Sequence, residues 1–290
     1  MEGSWKAGRP RWSALALAGL LALTGCGGGG DEEEASQSQA IELASRLPSD
    51  DALNVAIADV TAIRKTLGMP PGSIPPTNSD DHDLSFLEEV SPALGILNSG
   101  EFPQPVIDEA LQRAGWVAGV AGDRGVTAFT VSGDTAGFEP LLRDAGLTDE
   151  DGEWVDDGGD IAIALGDGLI AFADDPGDAK PVVEDDPGDA PEELEQLDGE
   201  GELITLARFG ADCVDAIATI DTPGEDGEVA FFTTATPDTS KITGDGIATT
   251  RARVEGDSAR ISIPAAREPI DEPPALTALQ ELKVDYDCDA

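Results

Sequence analysis

The chain is short of the side chains that most enzymes use for catalysis. Its 290 residues include one histidine, three cysteines and one tyrosine, and aromatic residues make up 4% of the sequence. A Ser-His-Asp triad, a Cys-His pair and a histidine-based metal centre would all need the same residue, His82. His82 lies among aspartates in a segment rich in Pro and Ser, which favours a solvated loop. We therefore expect no catalytic residue, no metal site and no cofactor, and the protein is predicted not to be an enzyme.

Motifs for other chemistry are missing as well. The glycines at 27–30 are not followed by Lys-Ser or Lys-Thr, and no Gly-x-Gly-x-x-Gly follows a predicted strand, which excludes the two common phosphate loops. No Gly-x-Ser-x-Gly nucleophile elbow occurs. A pair of catalytic carboxylates stays open, because acids are abundant and a sequence does not tell which of them meet in space. That alternative requires two close, buried carboxylates in a concave site.

Positive charge is scarce. Lys and Arg together number 17 against 59 Asp and Glu, which gives a formal net charge of −42. Such a chain repels the phosphates of nucleic acid and offers no basic face to anionic lipid. Nucleic acid is therefore excluded as a partner. The acidity is explained either by a solvating surface suited to high salt or a high-GC genome, or by binding of divalent cations. The first is favoured because Asp, Ala and Gly are abundant and Lys is scarce.

Long hydrophobic runs are also missing, and the best one is N-terminal. Residues 13–23 (SALALAGLLAL) are uncharged and follow Lys6, Arg9 and Arg11. This run is about half of the roughly 20 residues that a helix needs to cross a bilayer. A positive segment, a short apolar segment and small residues before a boundary are typical of a secretory signal rather than a membrane span.

The boundary itself carries a cysteine. Leu23-Thr24-Gly25-Cys26 resembles the lipobox of bacterial lipoproteins. The resemblance implies a signal peptide over 1–25, a diacylglyceryl thioether (palmitate-type chains) on Cys26 and a location on the outer side of the cell membrane. Two or more acyl chains anchor a protein stably, whereas one does so only marginally. The alternative is a soluble secreted protein in which the cysteine is incidental.

The mature chain divides into a tether and a body. Residues 26–40 are rich in Gly and polar side chains and predict a flexible tether. Residues 41–290 predict one extracytoplasmic body, and a division into two domains would fall within 174–201. Cys213 and Cys288 remain as an even pair in an exported chain, which predicts a disulfide; two buried free thiols are the alternative.

The body shows an α+β pattern. Asp59 is a suitable N-cap for a short helix, and Ala211–Ile220 is expected to be a helix that carries Cys213. Three hairpins are predicted: Trp116–Val120 with Val126–Val131, Ile161–Leu165 with Leu169–Ala173, and Ile247–Val254 with Ala259–Ile263. This order predicts antiparallel sheets built from hairpins, with helices packed on one face and two similar halves.

Two short features resemble a loosely defined group of bacterial membrane-anchored proteins of unknown function. One is Leu47-Pro48-Ser49-Asp50-Asp51-Ala52, which opens a predicted strand ending in Asp59. The other is the order of strand, Asp-capped helix and strands paired after the Gly166-Asp167-Gly168 turn. This resemblance implies no activity and no site.

The predicted function is therefore non-catalytic. We expect a membrane-anchored lipoprotein that binds or carries a small or hydrophobic ligand near the membrane. The alternative is a structural or interaction protein of the envelope that presents an acidic surface to a partner protein. The sequence leaves the oligomeric state open.

Overall fold

The protein is described by a computed structural model covering residues 39–48, 54–70, 72, 101–121, 125–208, 213–244, 251–265, 273–281 and 283–288. The strands are β1 (Asn54–Asp59), β2 (Ala114–Ala121), β3 (Val126–Val131), β4 (Thr148–Glu150), β5 (Glu153–Val155), β6 (Ala162–Leu165), β7 (Leu169–Ala173), β8 (Leu203–Arg208), β9 (Val214–Asp221), β10 (Gly227–Thr233), β11 (Ile242–Gly244), β12 (Ala252–Glu255), β13 (Ser258–Ile263) and β14 (Val284–Tyr286). The α-helices in the described ranges are α1 (39–45), α2 (Val60–Thr66), α3 (Gln104–Arg113), α4 (Glu139–Asp144), α5 (Ala179–Glu184), α6 (Glu192–Glu195) and α7 (Pro274–Gln280).

Twelve of these strands form one continuous antiparallel sheet. Its order is β12-β13-β10-β9-β8-β1-β2-β3-β7-β6-β5-β4, and β11 pairs with β14 in a separate two-stranded sheet. The α+β class and the antiparallel hairpins are therefore confirmed. β2 with β3, β6 with β7 and β12 with β13 are the three predicted hairpins. Residues 247–250 of the third lie outside the described residues.

The strand order repeats about the pairing of β1 with β8. Outward from that pairing, one set runs β1-β2-β3-β7-β6 and the other runs β8-β9-β10-β13-β12. In each set, three consecutive strands pair one after another (β1, β2, β3 or β8, β9, β10). A hairpin follows, and its second strand (β7 or β13) pairs with the last of the three (β3 or β10). The two similar halves are thus present as strand order. The repeat does not extend to the helices, because α5 and α7, which follow β7 and β13, pack on opposite faces of the sheet.

Helices cover both faces of the sheet, so the expectation of helices on one face was wrong. We call the face that carries Ala56 and Ala58 face A and the face that carries Val55 and Ile57 face B. Helices α2, α3, α4 and α7 pack on face A, and α1, α5 and α6 pack on face B. The reason is that the central strands are apolar on both faces, and an apolar face must be covered.

Residues 211–220 do not form the predicted helix. Residues 214–221 are strand β9, and 211–212 lie outside the described residues. Ala216, Ala218 and Ile220 lie together in the core of face B, which follows the two-residue period of a strand. Helical and strand periods are hard to distinguish in so short an apolar segment.

Residues 39 and 40, which the sequence assigned to the tether, belong to helix α1. Helix α1 begins at residue 39, and Ala40, Leu43 and Ala44 on it are buried against face B. The leader 1–25 and Cys26 lie outside the described residues. Within the described residues, no helix combines the length and apolarity that crossing a bilayer requires.

The C-terminal segment is tied to the sheet by a disulfide. Cys213 and Cys288 are bonded, with their Cα atoms 5.8 Å apart and a sequence separation of 75. The bond links the residue just before β9 to a residue just after β14. The ring of Tyr286 on β14 lies 5.5 Å from the ring of Phe231 on β10. The predicted pairing is therefore present in the structure.

Replacing Cys213 and Cys288 together with Ala should lower the free energy of unfolding by about 2–5 kcal/mol, because the unfolded chain loses a long covalent loop. Equilibrium denaturant unfolding measures this change. The wild-type protein under strong reductant is the matched control and should lose a similar amount. An unchanged midpoint in both samples would contradict a stabilising role for the bond.

A buried carboxylate holds helix α7 against the sheet. Pro273 and Pro274 open this helix without a side-chain cap of their own. Instead Asp221, at the end of β9, accepts the N–H groups of Ala275 at 2.7 Å and Leu276 at 3.1 Å. Gly227 makes room for this arrangement, since a Cβ there would lie 2.3 Å from Asp221 Oδ1. Burial raises the pKa of Asp221 to about 7, although the two N–H groups oppose the shift.

This raised pKa predicts a stability that falls as pH rises. The folded protein holds the Asp221 proton up to about pH 7, whereas an unfolded aspartate loses it near pH 3.9. Stability should therefore decrease between these values and then level off. Asp221→Asn should flatten the pH dependence in that window by up to about 1.4 kcal/mol per pH unit. Unfolding of both proteins from pH 4 to 8 measures it, and parallel curves would refute the assignment.

Candidate ligand-binding site

Arg64 is buried without an acidic partner among the described residues. Arg64 on α2 is 4% exposed. Every other arginine that the structure describes has a guanidinium nitrogen within 3.8 Å of a carboxylate oxygen. Arg64 forms no ion pair with any described carboxylate. In a chain with 59 acids this exception is unusual, because buried cations normally have a carboxylate partner.

The end of helix α3 holds this guanidinium in place. Arg64 Nη1 donates to the carbonyl of Ala114 at 3.4 Å, and Nη2 donates to the carbonyl of Leu111. These carbonyls lie at the C-terminal end of α3, which carries a partial negative charge of roughly half a unit. The positive charge is thus only partly compensated, and burial lowers the pKa of Arg64.

One donor of Arg64 has no partner. Its Nε is buried and makes no hydrogen bond within the described residues. A buried N–H without an acceptor costs about 1–3 kcal/mol, and more when the group is charged. Such a group is either a cost of the fold or a contact reserved for a molecule from outside the fold.

Arg64 lines an open cleft of about 730 Å³, which we call the Arg64 cleft. Its walls are α2 and the turn after it (Thr61, Met69), the end of α3 (Gln112) and the facing ends of β2 and β3 (Gly115, Val131). Carbon atoms form most of this wall. The volume falls in the range of roughly 300–1,000 Å³ that is common for small-molecule sites.

A β-bulge shapes one wall of the cleft. The register of β2 against β3 shifts between Ala114 and Val117, and Trp116 N–H donates to Thr130 Oγ1 at 2.8 Å. Gly115 permits this close approach, since a Cβ there would lie 3.1 Å from the same oxygen. Bulges often occur beside binding sites, where they redirect side chains.

Two further cations line the Arg64 cleft, Lys65 and Arg113. Arg113 is already engaged: its Nε donates to Ser132 O at 2.8 Å, its Nη2 donates to Asp134 O at 2.7 Å, and it lies over the Phe138 ring. Lys65 is exposed and makes no ion pair with a described carboxylate. The cleft is therefore basic, although the protein as a whole is strongly acidic.

A second, smaller cleft of about 360 Å³ is acidic. Trp116, Asp59, Asp198, Glu202 and Glu225 are among the residues that line it. Burial raises the pKa values of Asp59 and Glu202, and for Glu202 the charge of Asp59 adds to the rise. Both carboxylates are only half-buried, so the close, buried pair that the catalytic alternative requires is not formed here. Within the described residues, no group of three or more His, Cys, Asp or Glu side chains is arranged to hold a metal.

The residues singled out from the sequence lie elsewhere. Cys26 and His82 are outside the described residues, and the Cys213–Cys288 bond belongs to the C-terminal segment. Trp154 is buried under Arg143, whose guanidinium lies 5.2 Å from its ring. Arg64 was missed, because the sequence shows only a basic residue near the end of a short helix. The one available signal was an Arg-Lys pair in a helix that is otherwise apolar on its buried side.

Comparisons with known proteins give no family. No family model and no curated protein matches the chain. Among solved structures, three crystal forms of the Treponema protein TP0453 are similar at 10–11% identity. Form I covers 82% of this chain and 95% of its own with a TM-score of 0.48, form IV covers 85% and 98% with 0.49, and form III covers 82% and 97% with 0.44. These TM-scores are too low to support a conclusion about this chain.

Proposed function

We propose that this protein is a non-catalytic, lipid-anchored binding module that holds a small, largely apolar ligand outside the cytoplasm. The observation that carries the proposal is the Arg64 cleft, which combines a volume of about 730 Å³ with a wall made mostly of carbon atoms. Such a wall gains free energy by covering apolar ligand surface, at about 25 cal/mol per Å². The few polar groups at the cleft would orient the ligand, as in most small-molecule sites.

The membrane anchor follows from the lipobox. A lipid on Cys26 would tie the body to the membrane through residues 27–38, which precede helix α1. The acidic body would not itself adhere to anionic lipid, because such adhesion requires Lys and Arg. The proposal therefore separates the anchor, which is the lipid, from the binding element, which is the cleft.

Filling the cleft should abolish binding. Thr61 is exposed on α2 in the wall of the cleft, and Thr61→Trp would occupy ligand space without burying a charge. Native mass spectrometry of gently purified protein should show extra mass, lost on activation, in the wild type but not in this variant. Thr148→Trp on the exposed strand β4 is the matched control and should keep the extra mass.

Two outcomes would count against this proposal. A bare wild-type mass, together with no binding of added amphiphiles, would reject a carrier function. A specific protein that co-purifies with the wild type and with Thr61→Trp alike would favour the envelope-interaction alternative, since that function does not use the cleft.

The anchor has its own test. Cys26→Ala should prevent thioether formation and retain the leader, because the lipobox cysteine accepts the lipid. We expect the wild type to partition into the detergent phase with a mass that includes acyl chains, and the variant to show neither acyl mass nor cleavage at residue 26. Gly25→Ala keeps the cysteine after a small residue and serves as the control that should remain lipidated. The absence of acyl mass from all three proteins would refute the anchor.

A further inference from the structure

We infer that the ligand of the Arg64 cleft is a single-chain amphiphile with a carboxylate head, which receives the free Nε–H of Arg64. This inference rests on the proposed function and specifies its ligand. The carboxylate would supply the negative charge that the described residues do not place beside this buried guanidinium. The apolar chain would lie along the carbon-lined wall between α2 and the ends of β2 and β3.

The first argument is charge. A guanidinium stays protonated even when buried, so Arg64 brings a full positive charge into a site of low polarity. The C-terminal end of α3 compensates about half of that charge. The described residues supply no carboxylate for the remainder, although all the other described arginines have one. An anionic ligand completes the compensation.

The second argument is geometry. The Nη1 and Nη2 atoms of Arg64 already donate to backbone carbonyls, which fixes the plane of the guanidinium. Among the described residues Nε is left as a buried donor without an acceptor, and it belongs to a side chain that is 4% exposed and lines the cleft. One fixed donor suits one oxygen of a carboxylate. Lys65 also lines the cleft, and its positive charge would favour the anionic head.

The third argument separates a carboxylate from a phosphate. A phosphate carries up to two charges and needs several donors when it is buried. Arg113, the other arginine of the cleft, is occupied by Ser132 O, Asp134 O and Glu109. The carbonyl end of α3 also repels a second negative charge. The cleft therefore fits a monoanion better than a dianion.

The ligand class can be tested with three probes that share one tail. Decanoate, decan-1-ol and decyl phosphate are titrated at pH 8 by calorimetry into the mature chain carrying Cys26→Ala, exported behind a leader that does not require the lipobox. This chain, with Arg64 intact, should bind decanoate at least about tenfold more tightly than decan-1-ol, since a hydrogen bond between charged groups is worth that much. It should also prefer decanoate to decyl phosphate.

Variants assign the preference to Arg64. Arg64→Met replaces the guanidinium with an apolar chain of similar length and also removes the donors to the Leu111 and Ala114 carbonyls, so it is read together with Arg64→Lys, which keeps a charged donor. Arg64→Met should lose the preference for decanoate while keeping the affinity for decan-1-ol. Arg64→Lys retains the charge and should keep part of the preference. Arg143→Met, which changes an exposed side chain of α4 outside the cleft, is the matched control and should bind like the wild type.

The outcomes separate this inference from the proposed function. If wild type binds decan-1-ol as tightly as decanoate, or if Arg64→Met keeps the preference, the carboxylate assignment is wrong while the apolar cleft stands. Tighter binding of decyl phosphate would replace the carboxylate with a phosphate. If none of the three probes binds, the proposed function itself fails.

Discussion

The pairing of β1 with β8 is the contact on which the rest of the structure depends. It runs antiparallel from Asn54 opposite Ala207 to Ala58 opposite Leu203 and joins the two strand sets into one sheet. Without it each set would end in an apolar strand with unpaired backbone groups, which is a template for aggregation. The pairing also fixes the end of β1, where α2 begins. Arg64 is on that helix, so the position of the cleft follows from this joint.

A sheet that is apolar on both faces requires cover on both, and the protein obtains it with short helices. These helices are too short to be stable alone, so their ends must be satisfied by the sheet. Glu153 on β5 accepts the N–H groups of Gly177 and Lys180 at the start of α5, both at 2.7 Å. Asp221 does the same for α7.

Arg64 has the corresponding capping role at the C-terminal end of a helix, α3. Its Nη atoms satisfy carbonyls at the C-terminus of α3, where a cation is favourable. This role explains why a cation lies there, but it uses only part of the side chain. Nε has no partner among the described residues, and neither it nor the cleft that Arg64 lines takes part in capping; both are what the ligand proposal explains.

The features predicted from sequence were those set by neighbouring residues. The Gly166-Asp167-Gly168 turn marked its hairpin, and Asp59 caps α2 by accepting the N–H of Ala62 at 2.8 Å. Features that depend on distant pairing could not be predicted this way. The apolar segment 214–221 is a strand because it pairs with β8 and β10. The capping role of Asp221 depends on the packing of α7 above it, which the sequence around Asp221 does not show. The role of Arg64 depends in the same way on α3, about 50 residues away.

The net charge of −42 and a site for a carboxylate are compatible only if the site acts at short range. At physiological salt, exposed charges are screened beyond about 8 Å, so the acidic surface slows the approach of an anion without cancelling a buried contact. Inside the cleft the guanidinium is shielded from water, and its interaction with one oxygen is correspondingly stronger. Specificity would then come from burying a monoanionic head beside the apolar wall of the cleft. Inorganic anions gain no free energy from that wall, and the acidic surface repels them just as it repels the carboxylate. The acidic surface thereby acts as a filter that favours ligands with a substantial apolar part.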